Sequence, residues 1–536
     1  MQSDNFDNKI RQIQGLFESK KYKEALKKLN KLILSNPTNE DLLNFKSIIL
    51  LNLEDFFGAE NCIKNALLIN KNNPISLCNY GNIFLKKENY LEAEKYYKKS
   101  IEIQQNNLNT ILNLANCYFL NSKNLLSIEL LKKCILINPN IETCHQLLAS
   151  NYRELHQFNL HEEHLQVAAK INPLNFENFF HLAFYYQSIG NFQEASSFYL
   201  MSIKLNEYHG QSHYNYWQIN KFQMDQNNLN KIESLGNKSI DQESRAFFNL
   251  ILAEYYLKNN SNNFIHYLHR ANKIKSQLNP FKKTELKFEF DRIKSRYLYI
   301  KNSLNEVLYK NDDIRPIFII GLPRSGSSLV EQIISNVENI YACGEVDNLY
   351  KQLHNFIQID NLSFDETIHY LKNIRNSYIS HISNISNSKT FTDKLPLNFK
   401  YIGFLKIIFP NAKFILTKRN NFDNFFSIYR NFFLGSANSF ANSISDILYF
   451  SNFYNDLIEF WANDEIKFYT HNYSDYCEDK MNSTYNLFEF LEIKFDSKYL
   501  DLSTNRPVLT ASNSKIRDNN VTNDYEWLRQ YIPEFI

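Results

Sequence analysis

Residues 316–333 read PIFIIGLPRSGSSLVEQI. An apolar, β-branched run from Ile317 to Ile320 meets Gly321-Leu322-Pro323-Arg324-Ser325-Gly326, then two hydroxyls, Ser327 and Ser328, and then a helical pattern. A strand, a glycine-bearing loop and a helix in that order let backbone N–H groups converge on an anion, and the helix N-terminus adds its dipole. The nucleoside triphosphatase pattern G-x-x-x-x-G-K-[ST] places a lysine just before the last hydroxyl. Here Ser327 stands in that place, and the cation is Arg324, inside the loop.

A phosphate-loop hydrolase also needs an aspartate after an apolar strand to hold magnesium. The best later strand, Phe414-Ile415-Leu416, runs instead into Thr417-Lys418-Arg419. That site is basic where a metal site is acidic, so a metal-dependent triphosphatase is disfavoured and no metal is expected. Ser427 lies eight residues beyond Arg419, across the start of a helix. A guanidinium at a strand end and a hydroxyl two turns into the next helix can grip one phosphate from two sides. A nucleotide carrying phosphate at both its 5′ and 3′ ends needs two such separated sites.

Upstream the grammar is different. Stepping by 34 aligns Asn36, Asn70, Gln104, Asn138, Asn172 and Asn206, and also the small-residue columns Ala25, Ala59, Ala93, Ser127, His161, Ala195 and Ser47, Gly81, Ala115, Ala149, Ala183. Helix hairpins pack closely only where side chains are small, and each leaves an apolar face that the next one buries. The period and the small positions resemble the tetratricopeptide repeat, with units starting near Phe6, Glu40, Pro74, Leu108, Glu142 and Phe176. The bulky His161 predicts an irregular fifth unit. His161-Glu162-Glu163-His164 has no third ligand in sequence and reads as a surface helix rather than a metal pair. Between 210 and 310 the register is lost. A helical pair persists there, with Ala253 and Ala271 at close-contact positions, before a connector ending near Asn311-Asp312-Asp313.

The chain has 536 residues, of which 44% are hydrophobic and 22% charged, enough for two or three packed units. The net charge of +2 and the lack of a long basic stripe argue against a nucleic-acid partner. Seven cysteines, with no C-x-x-C pair, read as free thiols in a reducing compartment. No apolar stretch reaches the ~18 residues of a membrane span, and the N-terminal residues lack a signal-peptide core. A cytoplasmic protein is expected.

Three segments together resemble the sulfotransferases. PRSGSSLVEQI is similar to their 5′-phosphosulfate loop. KFILTKRNNFDNFFSIY is similar to their 3′-phosphate segment. TDKLPLNFKYIGFLKIIFPNA, residues 392–412, resembles the D-K-x-P-x-N-F segment of bacterial tetratricopeptide-repeat sulfotransferases, relatives of the protein-tyrosine sulfotransferases. The resemblance implies an N-terminal α-solenoid and a C-terminal α/β, phosphate-loop-like domain with a mostly parallel central sheet. Expected boundaries are 1–209 for the repeats, 210–310 for degenerate helical repeats or connector, and 311–536 for the sulfotransferase domain. The implied donor is 3′-phosphoadenosine 5′-phosphosulfate, with transfer to an acceptor hydroxyl or amine.

By the same resemblance, Arg324 is the cation beside the phosphosulfate, and Ser325, Gly326, Ser327 and Ser328 wrap it. Arg419 and Ser427 grip the 3′-phosphate. Lys394, in Asp393-Lys394-Leu395-Pro396, steadies the leaving oxygen, and Glu345, after Cys343-Gly344, is the general base. Such chemistry asks for fixed cations and N–H donors around developing charge, with a carboxylate to take the acceptor proton. Cys343 reads as a packing residue. Two segments depart from the family pattern. Tyr473-Ser474-Asp475-Tyr476 stands for Y-E-D-L. The terminal loop, Thr522 to Arg529, has no glycine, and Thr522 is its candidate hydroxyl. The repeat array is expected to recruit an acceptor peptide, saccharide or small molecule, or a protein partner. The rival readings are a phosphate-loop nucleotide kinase or triphosphatase, and a non-catalytic repeat scaffold.

Overall fold

The computed structural model describes residues 2–304, 308–309, 313–433, 435–501 and 528–535. It divides into two compact units, Met1–Asn172 and Pro173–Ile536.

The first unit is a helical solenoid whose repeat is nearly invariant. Glu40–Asn52, Pro74–Lys86, Leu108–Leu120 and Glu142–Glu154 each have 13 residues. Their partners Phe56–Ile69, Tyr90–Ile103, Asn124–Ile137 and Phe158–Ile171 each have 14. Asn39, Asn73 and Asn107 cap the first helices by accepting from backbone N–H groups, which satisfies donors a helix start leaves orphaned. The small columns mark true close approaches. A Cβ on Gly81 already meets Tyr97 Cε1 at 2.6 Å, so a larger side chain displaces the ring.

His161 does not disturb its helix, contrary to the irregular unit expected from its size. Phe158–Ile171 keeps the standard length, and His161 Nδ1 lies 2.8 Å from the Ala149 carbonyl. In the preceding repeat Ser127 Oγ donates to the Ala115 carbonyl at 2.8 Å in the same way. The column therefore tolerates a polar residue that reaches the backbone across the hairpin.

In the second unit, Phe176–Ser188 and Phe192–Leu205 repeat the 13- and 14-residue lengths. The pattern then breaks at the shorter Gly210–Ile219. Helices Gln242–Lys258 and Asn263–Leu278 pair through buried Ala253 and Ala271. These two helices and Lys283–Ser303 share one apolar core with the sheet: Phe247, Phe264, Phe290 and Ile293 pack in the same cluster as Phe318, Phe404 and Phe426.

The sheet has five parallel strands, β1 (Arg315–Gly321), β2 (Ile340–Ala342), β3 (Thr390–Asp393), β4 (Lys413–Lys418) and β5 (Tyr469–Asn472), in the order β2-β3-β1-β4-β5. β1 lies at the centre, buried at six of its seven residues, as an apolar run covered on both faces must be. In such sheets ligands bind beyond the carboxyl ends of the strands. The ends of β1, β3 and β4 deliver the 322–326 loop, Lys394 and Arg419 to that one edge.

Candidate functional site

β1 ends in register with β4, Gly321 opposite Thr417. Gly321 has φ +146°, and a Cβ there would meet the Thr417 carbonyl oxygen at 2.6 Å, so only glycine fits this crossing. Beyond it the loop is tied to its neighbours. Ser325 Oγ donates to the Leu322 carbonyl and lies 2.6 Å from Thr417 Oγ1. Asn424 Nδ2 donates to the Pro323 carbonyl at 2.9 Å. Arg324 and Gly326 both take left-handed backbone, at φ 66° and 101°. Gly326 is the N-cap of helix Ser327–Ser335, which places Ser327 and Ser328 in its first turn with their backbone N–H groups at the loop.

The Ser325 hydroxyl is engaged within the loop by the Leu322 carbonyl and by Thr417, a residue that sequence analysis did not single out as part of the site.

Arg324 Nε donates to Ser427 Oγ at 3.3 Å, which joins the loop directly to helix Asn421–Tyr429. Arg419 lies at the end of β4 with its guanidinium carbon 4.9 Å from the Tyr473 ring centre. Its Nε is buried with no hydrogen-bond partner among the described residues. The Tyr473 ring also backs the loop, since a Cβ on Gly326 would meet Tyr473 Cδ2 at 2.9 Å. One aromatic ring thus touches both proposed anion sites.

Lys394 and Glu345 form a second cluster. Lys394 Nζ donates to Glu345 Oε1 at 2.5 Å. The lysine side chain is 1% exposed and the glutamate 45%, so the cation is buried and the carboxylate reaches solvent. Lys394 N donates to the Gly344 carbonyl at 2.8 Å, and Cys343 N to the Thr392 carbonyl at 3.2 Å, which continues the β2–β3 ladder to the site. Asp393 is fully buried, accepts from Tyr378 OH at 2.8 Å, and is pushed up to about 8 by burial. Cys343 is buried as a packing residue, and burial pushes its thiol well above its ordinary range. Thr522 lies outside the described residues, as do residues 502–527 as a whole.

Residues 316–497 match the family model described as the sulfotransferase family. The second unit carries a sulfotransferase-family domain. Residues 75–107 match the tetratricopeptide repeat, so repeats precede the sulfotransferase-family domain in this chain. An uncharacterised protein of Aquifex aeolicus is 31% identical over 235 residues, covering 40% of this chain and 31% of the relative; the match thus spans about a third of that protein's length. Among solved structures, PilW, a type IV pilus biogenesis factor, is similar at 17% identity over 38% of this chain and 93% of its own, with a TM-score of 0.34. A tetratricopeptide-repeat protein of Thermus thermophilus is similar at 19% identity over 34% of this chain and 98% of its own, with a TM-score of 0.31.

Around the sulfotransferase-family domain the helices of residues 242–278 buttress the segment that follows Ser427. Arg430 Nε donates to Glu254 Oε1 at 2.9 Å, Asn272 Nδ2 to the Tyr429 carbonyl at 3.0 Å, and Lys275 Nζ to the Asn431 carbonyl at 2.7 Å. His269 Nδ1 lies 2.6 Å from Tyr429 OH. Sequence reading missed these partners because each joins positions 156 to 176 residues apart with no motif to mark them.

On the 161–164 stretch, His164 Nδ1 lies 3.0 Å from His145 Nδ1, and no group of three or more potential metal ligands occurs among the described residues. No helix among them is long and apolar enough to cross a membrane.

Proposed function

We propose that the second unit transfers the sulfuryl group of 3′-phosphoadenosine 5′-phosphosulfate to an acceptor hydroxyl or amine, and that the repeat array recruits the acceptor or a protein that carries it. The observation that supports this reading most is the Arg324–Ser427 hydrogen bond, with the unsatisfied Arg419 Nε beside the same loop. A buried guanidinium N–H without an acceptor is costly, and a phosphate oxygen is the acceptor it suits best.

In this reading the N–H groups of residues 324–328 and the Arg324 guanidinium hold the 5′-phosphosulfate. Arg419 and Ser427 hold the 3′-phosphate, and the Tyr473 ring lies between the two ends. The sulfuryl group passes between two oxygens nearly in line. Its S–O bond to the 5′-phosphate breaks as the bond to the acceptor forms, and Lys394 meets the charge that builds on the leaving oxygen. The acceptor proton goes to Glu345, whose side chain is 45% exposed. Positioned donors of this kind each contribute about 2–4 kcal/mol to lowering a barrier. We place the cytoplasm as its compartment and expect no metal in the reaction.

Calorimetry with adenosine 3′,5′-bisphosphate and with magnesium ATP tests the reading. Binding of the first and not the second is expected; the reverse makes the domain a nucleotide kinase or triphosphatase. Transfer of labelled sulfate from the donor into a cell lysate, read by mass spectrometry, then identifies the acceptor class. Bisphosphate binding with no transfer into any acceptor pool makes the chain a scaffold.

A further inference from the structure

Glu331 stands one turn into the helix that starts at the phosphate loop, and nothing in the transfer scheme above uses it. Its Oε1 accepts twice, from Gly344 N at 3.0 Å and from Thr392 Oγ1 at 2.8 Å. Gly344 precedes Glu345, and Thr392 lies two residues before Lys394. One carboxylate oxygen therefore ties together the three segments that carry the loop hydroxyls, the candidate base and the candidate leaving-group cation. The tie is closed on its far side by Lys394 N donating to the Gly344 carbonyl and by the 2.5 Å Lys394–Glu345 pair.

We propose that Glu331 is a positioning residue that sets the Lys394–Glu345 pair in register with the phosphate loop. This rests on the sulfuryl-transfer reading.

Three features support the role. Gly344 has φ +72° and open space where a Cβ would stand, and the hydrogen bond from its N–H to Glu331 is the one that ties this turn to the phosphate-loop helix. Thr392 is fully buried, and its hydroxyl has Glu331 as acceptor. Burial pushes the Glu331 carboxyl up, while Lys394 pulls it the other way and Glu345 adds to the rise. Lys394 thus pairs directly with Glu345 and acts on Glu331 through its charge. A side chain there that cannot accept removes the acceptor of the Gly344 N–H and of the Thr392 hydroxyl and unties the turn that carries Glu345 from the phosphate-loop helix. Misplacing a reacting group by about 1 Å costs on the order of 100-fold in rate.

The full chain with Glu331→Gln and Glu331→Ala tests this. The amide oxygen of Gln accepts the same two hydrogen bonds, whereas Ala accepts none. Both variants are expected to bind adenosine 3′,5′-bisphosphate as the parent does, since the Glu331 side chain hydrogen-bonds to Gly344 and Thr392 and not to the nucleotide-gripping residues. For transfer of labelled sulfate into the lysate, Ala is expected to lower kcat by about 10- to 100-fold at unchanged donor KM, and Gln to restore most of it. Crystal structures should keep the Lys394–Glu345 pair in Gln and lose it in Ala. A parental rate for Ala, or equal losses for Gln and Ala, overturns the inference. A parent chain that binds no bisphosphate and transfers no label overturns the sulfuryl-transfer reading instead. The crystallographic arm then still decides whether Glu331 sets the pair.

Discussion

Arg324 Nε lies 3.3 Å from Ser427 Oγ, though 103 residues separate them in the chain. The two candidate anion-binding segments are therefore joined side by side. Ser427→Ala removes a hydroxyl that accepts from Arg324 and can donate to a phosphate oxygen, and is expected to weaken adenosine 3′,5′-bisphosphate by about 1 kcal/mol, read by calorimetry.

Arg419 contributes a charged donor whose Nε is unsatisfied among the described residues. Arg419→Ala is expected to lose about 1.5–3 kcal/mol of bisphosphate binding, with donor and product nucleotide weakened in parallel. Because the guanidinium also stacks on Tyr473, Arg419→Lys should recover only part of the loss. Unchanged affinity in the Ala variant argues against the 3′-phosphate assignment.

Glu345→Gln keeps the shape of the side chain and removes the candidate base. Turnover should fall by about 10²- to 10⁴-fold, the usual worth of a positioned proton acceptor, while bisphosphate affinity stays at the parental value. A variant that still turns over normally excludes Glu345 from proton transfer.

Glu254 and Arg430 pair with side chains only 10% and 12% exposed. Glu254→Gln leaves a largely buried guanidinium without its counter-charge, a change that costs about 3–5 kcal/mol. A lower denaturant midpoint is expected, and with it weaker bisphosphate binding, because Arg430 directly follows the helix that carries Ser427.

Asp393 gives the domain a pH dependence of defined sign. Burial raises its pKa from 3.8 to about 8, so the folded state holds the proton more tightly than the unfolded chain. The stability this contributes is fully present below about pH 4 and is lost as pH rises towards and through 8. Asp393→Asn mimics the neutral form. Between pH 5 and 9 its melting temperature should fall less than that of the parent, and parallel profiles would remove Asp393 as the source.

The helices of the first unit were legible because a 34-residue period is a local, repeated signal. The observed helix starts at Glu40, Pro74, Leu108 and Glu142 coincide with the expected unit starts. What the period concealed is how each hairpin turns. Lys20, Glu54, Glu88, Ser122 and His156, all 34 apart, adopt left-handed backbone at φ 54–61°, and the same column has glycine only at Gly190. Side chains at such positions cost about 1 kcal/mol or more each, so their chemistry does not announce them. Packing of the two helices imposes them.

From residue order alone came the strand–loop–helix at 317–335, the basic end of the 413–418 strand, and the candidate residues Arg324, Arg419, Ser427, Lys394 and Glu345. Those are short-range patterns, in which the spacing along one turn or one strand carries the meaning. Which oxygen each donor faces was left to the folded chain. The Ser325 hydroxyl turned inwards to Thr417, Tyr473 came to lie against both the loop and Arg419, Glu331 reached across to Gly344 and Thr392, and Glu254 met Arg430. Each of these joins elements brought side by side only by the parallel sheet and the helices packed on it. A hydrogen bond depends on distance in space, and the sequence records only distance along the chain.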